Sequence, residues 1–144
     1  MSTMVIAKKL SANDTGETGG HQAGILIPKR QEILQFFPDL TAAEKNPRKA
    51  LVFIEPESFD DWTFNFIYYN NAFFGGTRNE YRLTGMTKYF ARHDLHENDE
   101  LIFKLQGNKR YVTYGRQSRD EDQLIDKPEV VRLKLSSGWK VIEI

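Results

Sequence analysis

The chain has 144 residues, 40% of them hydrophobic and 12% aromatic, a balance that excludes intrinsic disorder and predicts a single domain over residues 1–144. Cys is absent and no apolar run approaches the roughly 20 residues that span a bilayer, so disulfides, thiolate metal sites and membrane helices are excluded, and we expect a cytoplasmic protein. Lys and Arg number 20, as do Asp and Glu, so the formal net charge of +0 does not by itself favour a nucleic-acid partner.

Most of the predicted elements are strands. After a short β-prone segment at Met4–Lys9, the pattern predicts roughly seven strands, at Gly24–Pro28, Ala50–Glu55, Phe64–Asn70, Glu100–Leu105, Lys109–Tyr114, Val130–Leu135 and Trp139–Ile144. Three short helices are predicted, at Gln31–Phe37 before Pro38, at Met86–Arg92, and from Ser118 onward. Two hairpin turns are predicted, at Gln106–Asn108 and Ser136–Gly138. The elements have no βαβ rhythm, which predicts a mostly β fold with short helices, an open antiparallel pseudobarrel.

The charges are unevenly distributed along the chain. Leu101–Arg119 holds five cations and no carboxylate, and Tyr81–Arg92 holds three more cations without an acid. The acids gather at 55–61, 94–100 and 120–126. A basic face is therefore compatible with a neutral total, although such runs are also typical of solvated loops and strand faces.

The first unusual segment, Leu10–Gln22, is long, polar and rich in glycine. It carries a set of short or hydrogen-bonding side chains: Ser11, Asn13, Asp14, Thr15, Thr18, His21 and Gln22. Such side chains can bond to bases and phosphates, and glycine lets the backbone approach another surface closely. An ordinary flexible loop is the alternative. A nucleotide P-loop is excluded because His21 and Gln22, not Lys and Ser or Thr, follow the glycines.

The second segment, Asn70–Thr84, reads NNAFFGGTRNEYRLT and is predicted to be a loop. Arg can bind guanine, Asn can bind adenine and Glu can accept a hydrogen bond from cytosine. All three types fall within Arg78–Arg82. The alternative is that Arg78, Glu80 and Arg82 form weak surface salt bridges at alternate positions of a strand.

Both segments resemble the N-terminal effector domain of EcoRII-type restriction endonucleases. SANDTGETGGHQ is similar to the N-terminal arm of that domain, and TRNE followed by Arg82 is similar to its C-terminal arm. The similarity continues at Phe103–Leu105 and Asp120–Asp122. We call Leu10–Gln22 the first arm and Gly75–Arg82 the second arm. Gly76 and Tyr81 depart from the family, which has basic residues there.

The resemblance implies a seven-stranded DNA-binding pseudobarrel, shared with plant B-three transcription factors, whose two arms enter the major groove of double-stranded DNA. It implies base reading by Asn13, Asp14, Thr15, His21, Gln22, Arg78, Asn79, Glu80 and Arg82. Contacts with the DNA backbone are expected from Lys8, Lys9, Ser11, Thr18, Thr77, Tyr81, Lys109 and Arg110. It further implies a prokaryotic source and a linked or separate nuclease domain as a partner.

No catalytic centre is expected in the chain. Asp or Glu two residues before Lys, as a metal-dependent nuclease centre requires, does not occur, and neither does His-x-Lys. His93 and His96 lie in an acid-rich stretch, and neither a metal nor another cofactor is expected there. The alternative function is a β-barrel that binds a protein or a ligand other than nucleic acid, which the neutral net charge favours.

Overall fold

A computed structural model describes residues 3–16, 24–116, 131–134 and 138–143. Its strands, in chain order, are β1 (Thr3–Lys9), β2 (Gly24–Ile27), β3 (Arg48–Ile54), β4 (Asp61–Tyr69), β5 (Glu80–Thr84), β6 (Glu100–Gln106), β7 (Lys109–Gly115), β8 (Val131–Lys134) and β9 (Trp139–Glu143). Between them lie three short helices and a 3₁₀ turn: α1 (Ala12–Thr15), α2 (Gln31–Leu34), the turn at Asn71–Phe74 and α3 (Thr87–Arg92). Within these ranges, no helix is long and apolar enough to cross a membrane.

All nine strands belong to one sheet, in the order β2-β5-β4-β3-β7-β6-β1-β9-β8. Neighbours are antiparallel except β3 and β7, which run parallel. The indole Nε1 of Trp139 in β9 donates a hydrogen bond of 2.9 Å to the carbonyl oxygen of Leu26 in β2. Because β2 and β9 lie near opposite ends of the strand order, this bond requires a sheet that curls until its ends meet.

Inward-facing side chains fill the curled sheet. In β3, Leu51 and Phe53 are 5% and 0% exposed, whereas Val52 between them is 52% exposed. This alternation is typical of a strand with one buried face. The Phe53 ring centroid lies 5.2 Å from that of Phe64 and 5.4 Å from that of Phe103, on strands from both halves of the sheet. Each buried aromatic side chain of this kind stabilises a fold by ~1.5–3 kcal/mol, so the aromatic interior joins the two halves.

The predicted mostly β class is confirmed, with nine strands where the sequence indicates roughly seven. The first predicted hairpin is confirmed, since β6 pairs with β7, and β8 pairs with β9 as expected. Residues 136 and 137 of the second predicted turn lie outside the described residues. The predicted helix at Gln31–Phe37 is too long: the regular helix ends at Leu34, and single-turn hydrogen bonds carry the chain on to Phe37. The helix expected from Ser118 lies outside the described residues.

The prediction of a loop over all of Asn70–Thr84 is wrong, because Glu80–Thr84 forms β5 between β2 and β4. In β5, Leu83 is fully buried and Tyr81 packs against the core, while Glu80 and Arg82 alternate with them on the other face. The strict alternation of polar and apolar residues in EYRLT is a strand signal, in keeping with the alternative of surface salt bridges along a strand.

Truncation of Phe53 to alanine should lower the free energy of unfolding by about 3–5 kcal/mol, because the ring is fully buried among other rings. The neighbouring variant Val52→Ala is the matched control, and it should change stability by less than about 0.5 kcal/mol because that side chain is exposed. Chemical denaturation of both variants measures the difference. Equal losses would contradict the register assigned to β3.

Candidate nucleic-acid interface

The first arm begins with a four-residue helix, α1, that is capped at both ends. The Ser11 side chain accepts a hydrogen bond from the Asp14 backbone N–H at 3.2 Å, and the Asp14 carboxylate accepts one from the Ser11 backbone N–H at 2.9 Å. This reciprocal pattern is a capping box. Gly16, at φ 82°, ends the helix in the left-handed conformation that glycine favours. A helix this short depends on such caps, because nucleation alone is unfavourable.

A salt bridge joins α1 to the strand that precedes it. Lys8 Nζ lies 2.8 Å from Asp14 Oδ2, and the two side chains are only 8% and 9% exposed. Lys8 occupies the same face of β1 as the fully buried Ile6, whereas Lys9 points to the opposite face and is exposed. The two adjacent lysines therefore lie in different environments, although the same role, contact with the DNA backbone, is expected of both from the sequence.

The start of the first arm is also tied to the loop after α3. The Leu10 backbone N–H donates to the Asp99 carbonyl at 2.8 Å, and the Asn98 N–H donates to the Leu10 carbonyl at 2.8 Å. The Asp99 carboxylate accepts from the His96 backbone N–H at 2.9 Å and lies 3.7 Å from Arg116. Backbone bonds on both sides of Leu10 thus fix the point where the arm leaves the sheet.

The remaining first-arm predictions fall in different places. Ser11 and Asn13 are exposed, Thr15 is half-buried, and its hydroxyl donates to the Ala12 carbonyl at 3.2 Å. Thr18, His21 and Gln22 lie outside the described residues.

The Asn71 side chain and backbone organise the turn that leads into the second arm. Asn71 Oδ1 accepts a 2.6 Å hydrogen bond from the Arg78 backbone N–H, and the Asn71 carbonyl accepts one of 2.7 Å from Gly76. The Ala72 N–H donates to the Arg78 carbonyl at 2.9 Å. A Cβ added to Gly76 would lie 2.8 Å from the Asn71 side chain, so only glycine fits there.

The second arm carries a compact cluster of charged side chains on one aromatic ring. The Arg78 guanidinium carbon lies 3.8 Å from the Tyr69 ring centroid, a cation–π contact. Glu80 Oε2 lies 2.8 Å from Arg78 Nη2 and 3.1 Å from Arg82 Nη1. We call Tyr69, Arg78, Glu80 and Arg82 the second-arm cluster. Its charged side chains are 32–45% exposed, so they remain accessible to a partner.

The charges of the cluster keep Glu80 ionised. Partial burial alone would raise the pKa of the Glu80 carboxyl, but hydrogen bonds from Arg78 and Arg82, and their positive charges, together hold the pKa below its usual value. A carboxylate shared by two guanidinium groups fixes the orientation of both.

A stack of aromatic rings runs from the core to Asn79. The Phe37 and Phe66 ring centroids lie 4.6 Å apart, those of Phe66 and Tyr81 lie 5.6 Å apart, and those of Tyr81 and Tyr68 lie 4.2 Å apart. The Tyr68 hydroxyl then donates a 2.7 Å hydrogen bond to Asn79 Oδ1. Burial, with smaller effects from nearby groups, raises the pKa of Tyr81, whose ring lies between its neighbours. The stack thus positions the Asn79 side chain through the hydrogen bond from Tyr68.

The two arms are connected through one pair of strands. The first arm leads into β2, where Gly24 pairs with Thr84 and Ile27 pairs with Tyr81 of β5. Glu80 and Arg82 of the second-arm cluster lie on that same β5 strand. The strand that follows the first arm is therefore hydrogen-bonded to the strand that carries part of the second-arm cluster.

Lys109 and Arg110 lie away from the start of the first arm. Through β6, Lys109 is level with Thr3 at one end of β1, whereas the first arm leaves the other end at Lys9. Six residues of extended strand correspond to ~20 Å. Arg110 is half-buried and donates to the Phe36 carbonyl at 3.3 Å, and burial lowers the pKa of its guanidinium.

Sequence reasoning missed four residues that shape the second arm: Tyr68, Tyr69, Asn70 and Asn71. Asn70 is fully buried, and its amide accepts from the Asn46 backbone N–H at 2.6 Å and donates to the Glu44 carbonyl at 2.8 Å. The two tyrosines end a recognisable strand, so their opposite faces could be read from the alternation. The long-range partners of Asn70 leave no signal in the sequence.

The two histidines bind different carboxylates. His93 Nε2 lies 3.0 Å from Glu55 Oε1, and His96 Nε2 lies 2.9 Å from Asp94 Oδ1. Within the described part of the chain, no three His, Cys, Asp or Glu side chains gather as metal ligands.

Comparison with solved structures identifies the fold. The B3 domain of the UbaLAI restriction endonuclease, solved with cognate DNA, superposes with a TM-score of 0.60 at 20% identity, covering 99% of this chain and 88% of that one. The Arabidopsis FUS3–DNA complex superposes with a TM-score of 0.59 at 19% identity, covering 78% of this chain and 96% of that one. The curled nine-stranded sheet is therefore a B3-type pseudobarrel.

Comparison of sequences identifies the family. The type II restriction enzyme EcoRII of Escherichia coli is 44% identical over 82 residues, which are 56% of this chain. The matched region is 20% of the length of that enzyme, so the chain corresponds to a small part of it. The family model described as restriction endonuclease EcoRII, N-terminal, matches residues 1–106. Because this match covers well over half of the 144 residues, the chain belongs to the EcoRII N-terminal domain family.

Proposed function

We propose that this chain is a sequence-specific double-stranded DNA-binding domain, which serves as the target or effector recognition module of a restriction endonuclease. Membership of the EcoRII N-terminal family carries this proposal. The shared fold of the UbaLAI B3 domain, which was solved with its cognate DNA, supports it. The exposed second-arm cluster supplies the chemistry that the proposal requires.

The second arm is proposed to read bases in the major groove. Arg78 and Arg82 can each donate two hydrogen bonds to guanine, and Asn79 can pair with adenine. Glu80 already holds both guanidinium groups in place, so less side-chain entropy is lost when they meet a base. The surface salt bridges that the sequence suggests as an alternative are present. They are compatible with base reading because the same side chains remain exposed.

The first arm is proposed to read the same site from another side. Its described base-reading candidates are Asn13, Asp14 and Thr15, of which Asp14 is buried, and His21 and Gln22 follow from the family resemblance. Backbone contacts are proposed from the exposed Lys9, together with Ser11, Thr18, Thr77, Tyr81, Lys109 and Arg110. These contacts would give affinity for any duplex, whereas the base contacts would select one.

The chain is proposed to cut nothing by itself. Its matched region is 20% of the length of the EcoRII enzyme, so a linked or separate nuclease domain would supply the cleavage. A module of a restriction endonuclease has to meet DNA inside the cell, so the proposed location is a bacterial cytoplasm.

Titration of the chain against a random duplex at low salt tests DNA binding itself. A sequence-specific DNA-binding domain should bind random duplex with micromolar or better affinity, because phosphate contacts are independent of sequence and strongest at low salt. A protein- or ligand-binding barrel, the function that the neutral charge favours, should show no binding. Absence of binding would contradict the proposal.

Truncation of Arg78 to alanine should weaken binding to the preferred duplex by about 1–3 kcal/mol and relax the preference at one base pair. Arg92→Ala is the matched control, since Arg92 is an exposed arginine that also forms a surface salt bridge, with Asp60 at 3.4 Å. It should leave the preference unchanged. Gel-shift titrations with preferred and random duplexes measure both effects. An equal loss on both duplexes would make Arg78 a phosphate contact only.

Truncation of Lys9 to alanine should weaken binding to every duplex alike. Removing one phosphate contact should also reduce the slope of log Kobs against log salt by about one unit. Titrations at four or more salt concentrations give this slope. An unchanged slope would remove Lys9 from the proposed backbone contacts.

A further inference from the structure

A buried ion pair lies beneath the first arm, at the point where β1 passes into α1. Lys8 Nζ and Asp14 Oδ2 are 2.8 Å apart, and the two side chains are 8% and 9% exposed. Two charges removed from water are costly unless each is well paired. From the sequence, Lys8 is expected to bind phosphate and Asp14 to read a base. Neither role explains why the two side chains are buried and paired with each other.

The surroundings of Lys8 direct its ammonium group inward. The ammonium also donates to the Lys9 carbonyl at 2.9 Å. Trp139, which is fully buried, is its cross-strand neighbour on β9. Gly138 covers the pair from the turn before β9: a Cβ there would lie 3.6 Å from Lys8 Nζ and 3.1 Å from the Lys9 carbonyl oxygen. Lys8 could therefore reach a DNA phosphate only by abandoning Asp14 and leaving that carboxylate buried without its cation.

One carboxylate oxygen of Asp14, Oδ2, accepts two hydrogen bonds. Oδ2 accepts from the Ser11 backbone N–H at 2.9 Å as well as from Lys8. The Asp14 carboxylate is thus both the second half of the capping box and the partner of the ammonium. It connects a four-residue helix, which has little stability of its own, to a central strand of the sheet.

We infer that Lys8 and Asp14 are positioning residues, whose ion pair fixes the turn that presents the exposed Asn13 to DNA without touching DNA. This inference rests on the proposed function, since it assigns a role within DNA recognition. It also separates Lys8 from Lys9: the inward lysine sets the shape of the arm, and the outward lysine meets the phosphate backbone.

Three variants test the inference: Lys8→Met, Asp14→Asn and the double variant. Each single variant should lose about tenfold in affinity for a preferred duplex, comparable to the loss of one base contact. Affinity for a random duplex should change by less than about twofold, and the salt slope should stay at its wild-type value, because no phosphate contact is removed. Lys9→Ala, measured in parallel, shows the change of slope that a phosphate contact produces.

Stability and affinity should separate in the double variant. Each single change leaves one buried charge unpaired, so the melting temperature should fall. The double variant has no buried charge at this place, so its melting temperature should return towards the wild-type value. Its affinity for the preferred duplex should nevertheless stay below wild type, because the ion pair that fixed the turn is gone. A purely structural role would restore affinity together with stability. The double variant also keeps the test possible if a single variant fails to fold.

Amide hydrogen exchange on the free protein tests the positioning without DNA. In Lys8→Met, the backbone N–H groups of Ser11 and Asp14 should exchange faster than in wild type, because the capping box is loosened. Unchanged exchange would overturn the inference.

Two binding outcomes would also overturn the inference while the proposed function stands. A loss of about one unit of salt slope in Lys8→Met would make Lys8 a phosphate contact. A changed preference at one base pair in Asp14→Asn, with exchange at Ser11 unaltered, would make Asp14 a base reader. Failure of the wild-type chain to bind any duplex would instead refute the proposed function, and the inference with it.

Discussion

The aromatic interior of the curled sheet is the constraint on which the other features depend. Phe53 and Phe103 lie on opposite sides of the parallel β3–β7 junction, and their contact holds the two halves of the sheet together. The bond from Trp139 to Leu26 then brings the ends of the strand order into contact. In chain order the first arm lies between β1 and β2, and the second arm runs from the turn after β4 into the first residues of β5. Their positions are consequently set by the core.

Local hydrogen bonds then give the described start of the first arm, residues 10–16, and the second arm a defined shape without help from a partner. In the first arm, Ser11 and Asp14 cap a single helical turn. In the second, Asn71 closes a 3₁₀ turn and Glu80 holds two arginines. A recognition surface that is already ordered loses less conformational entropy on binding. Arg78 and Arg82 are paired with Glu80 within the second arm, whereas Lys9 is exposed.

Sequence patterns correctly predict strands in which polar and apolar residues alternate clearly. They are less successful where charged side chains suggest a loop, and where two contacting residues lie far apart in the chain. The hairpin of β6 and β7 follows directly from ELIFKL and KRYVTY around a glycine turn. From the sequence, strand β5 is interpreted as a loop because its charged side chains suggest base reading, although EYRLT alternates polar and apolar residues as a half-buried strand does. Strand parity places Lys8 and Lys9 on opposite faces of β1, but it predicts neither the burial of Lys8 nor its pairing with Asp14, since Ala7 on the same face as Lys9 is buried as well. Tyr68 and Asn79 were likewise joined only by the tertiary structure.

Selection of bound duplexes from a random pool by the whole chain, followed by sequencing, shows whether the chain distinguishes one DNA sequence from another. A sequence-specific DNA-binding domain should enrich one short motif, since each base pair it reads contributes about 1–3 kcal/mol of discrimination. Positions outside that motif should remain random. A retained pool with the same composition as the starting pool, or no retained duplex at low salt, would contradict the account.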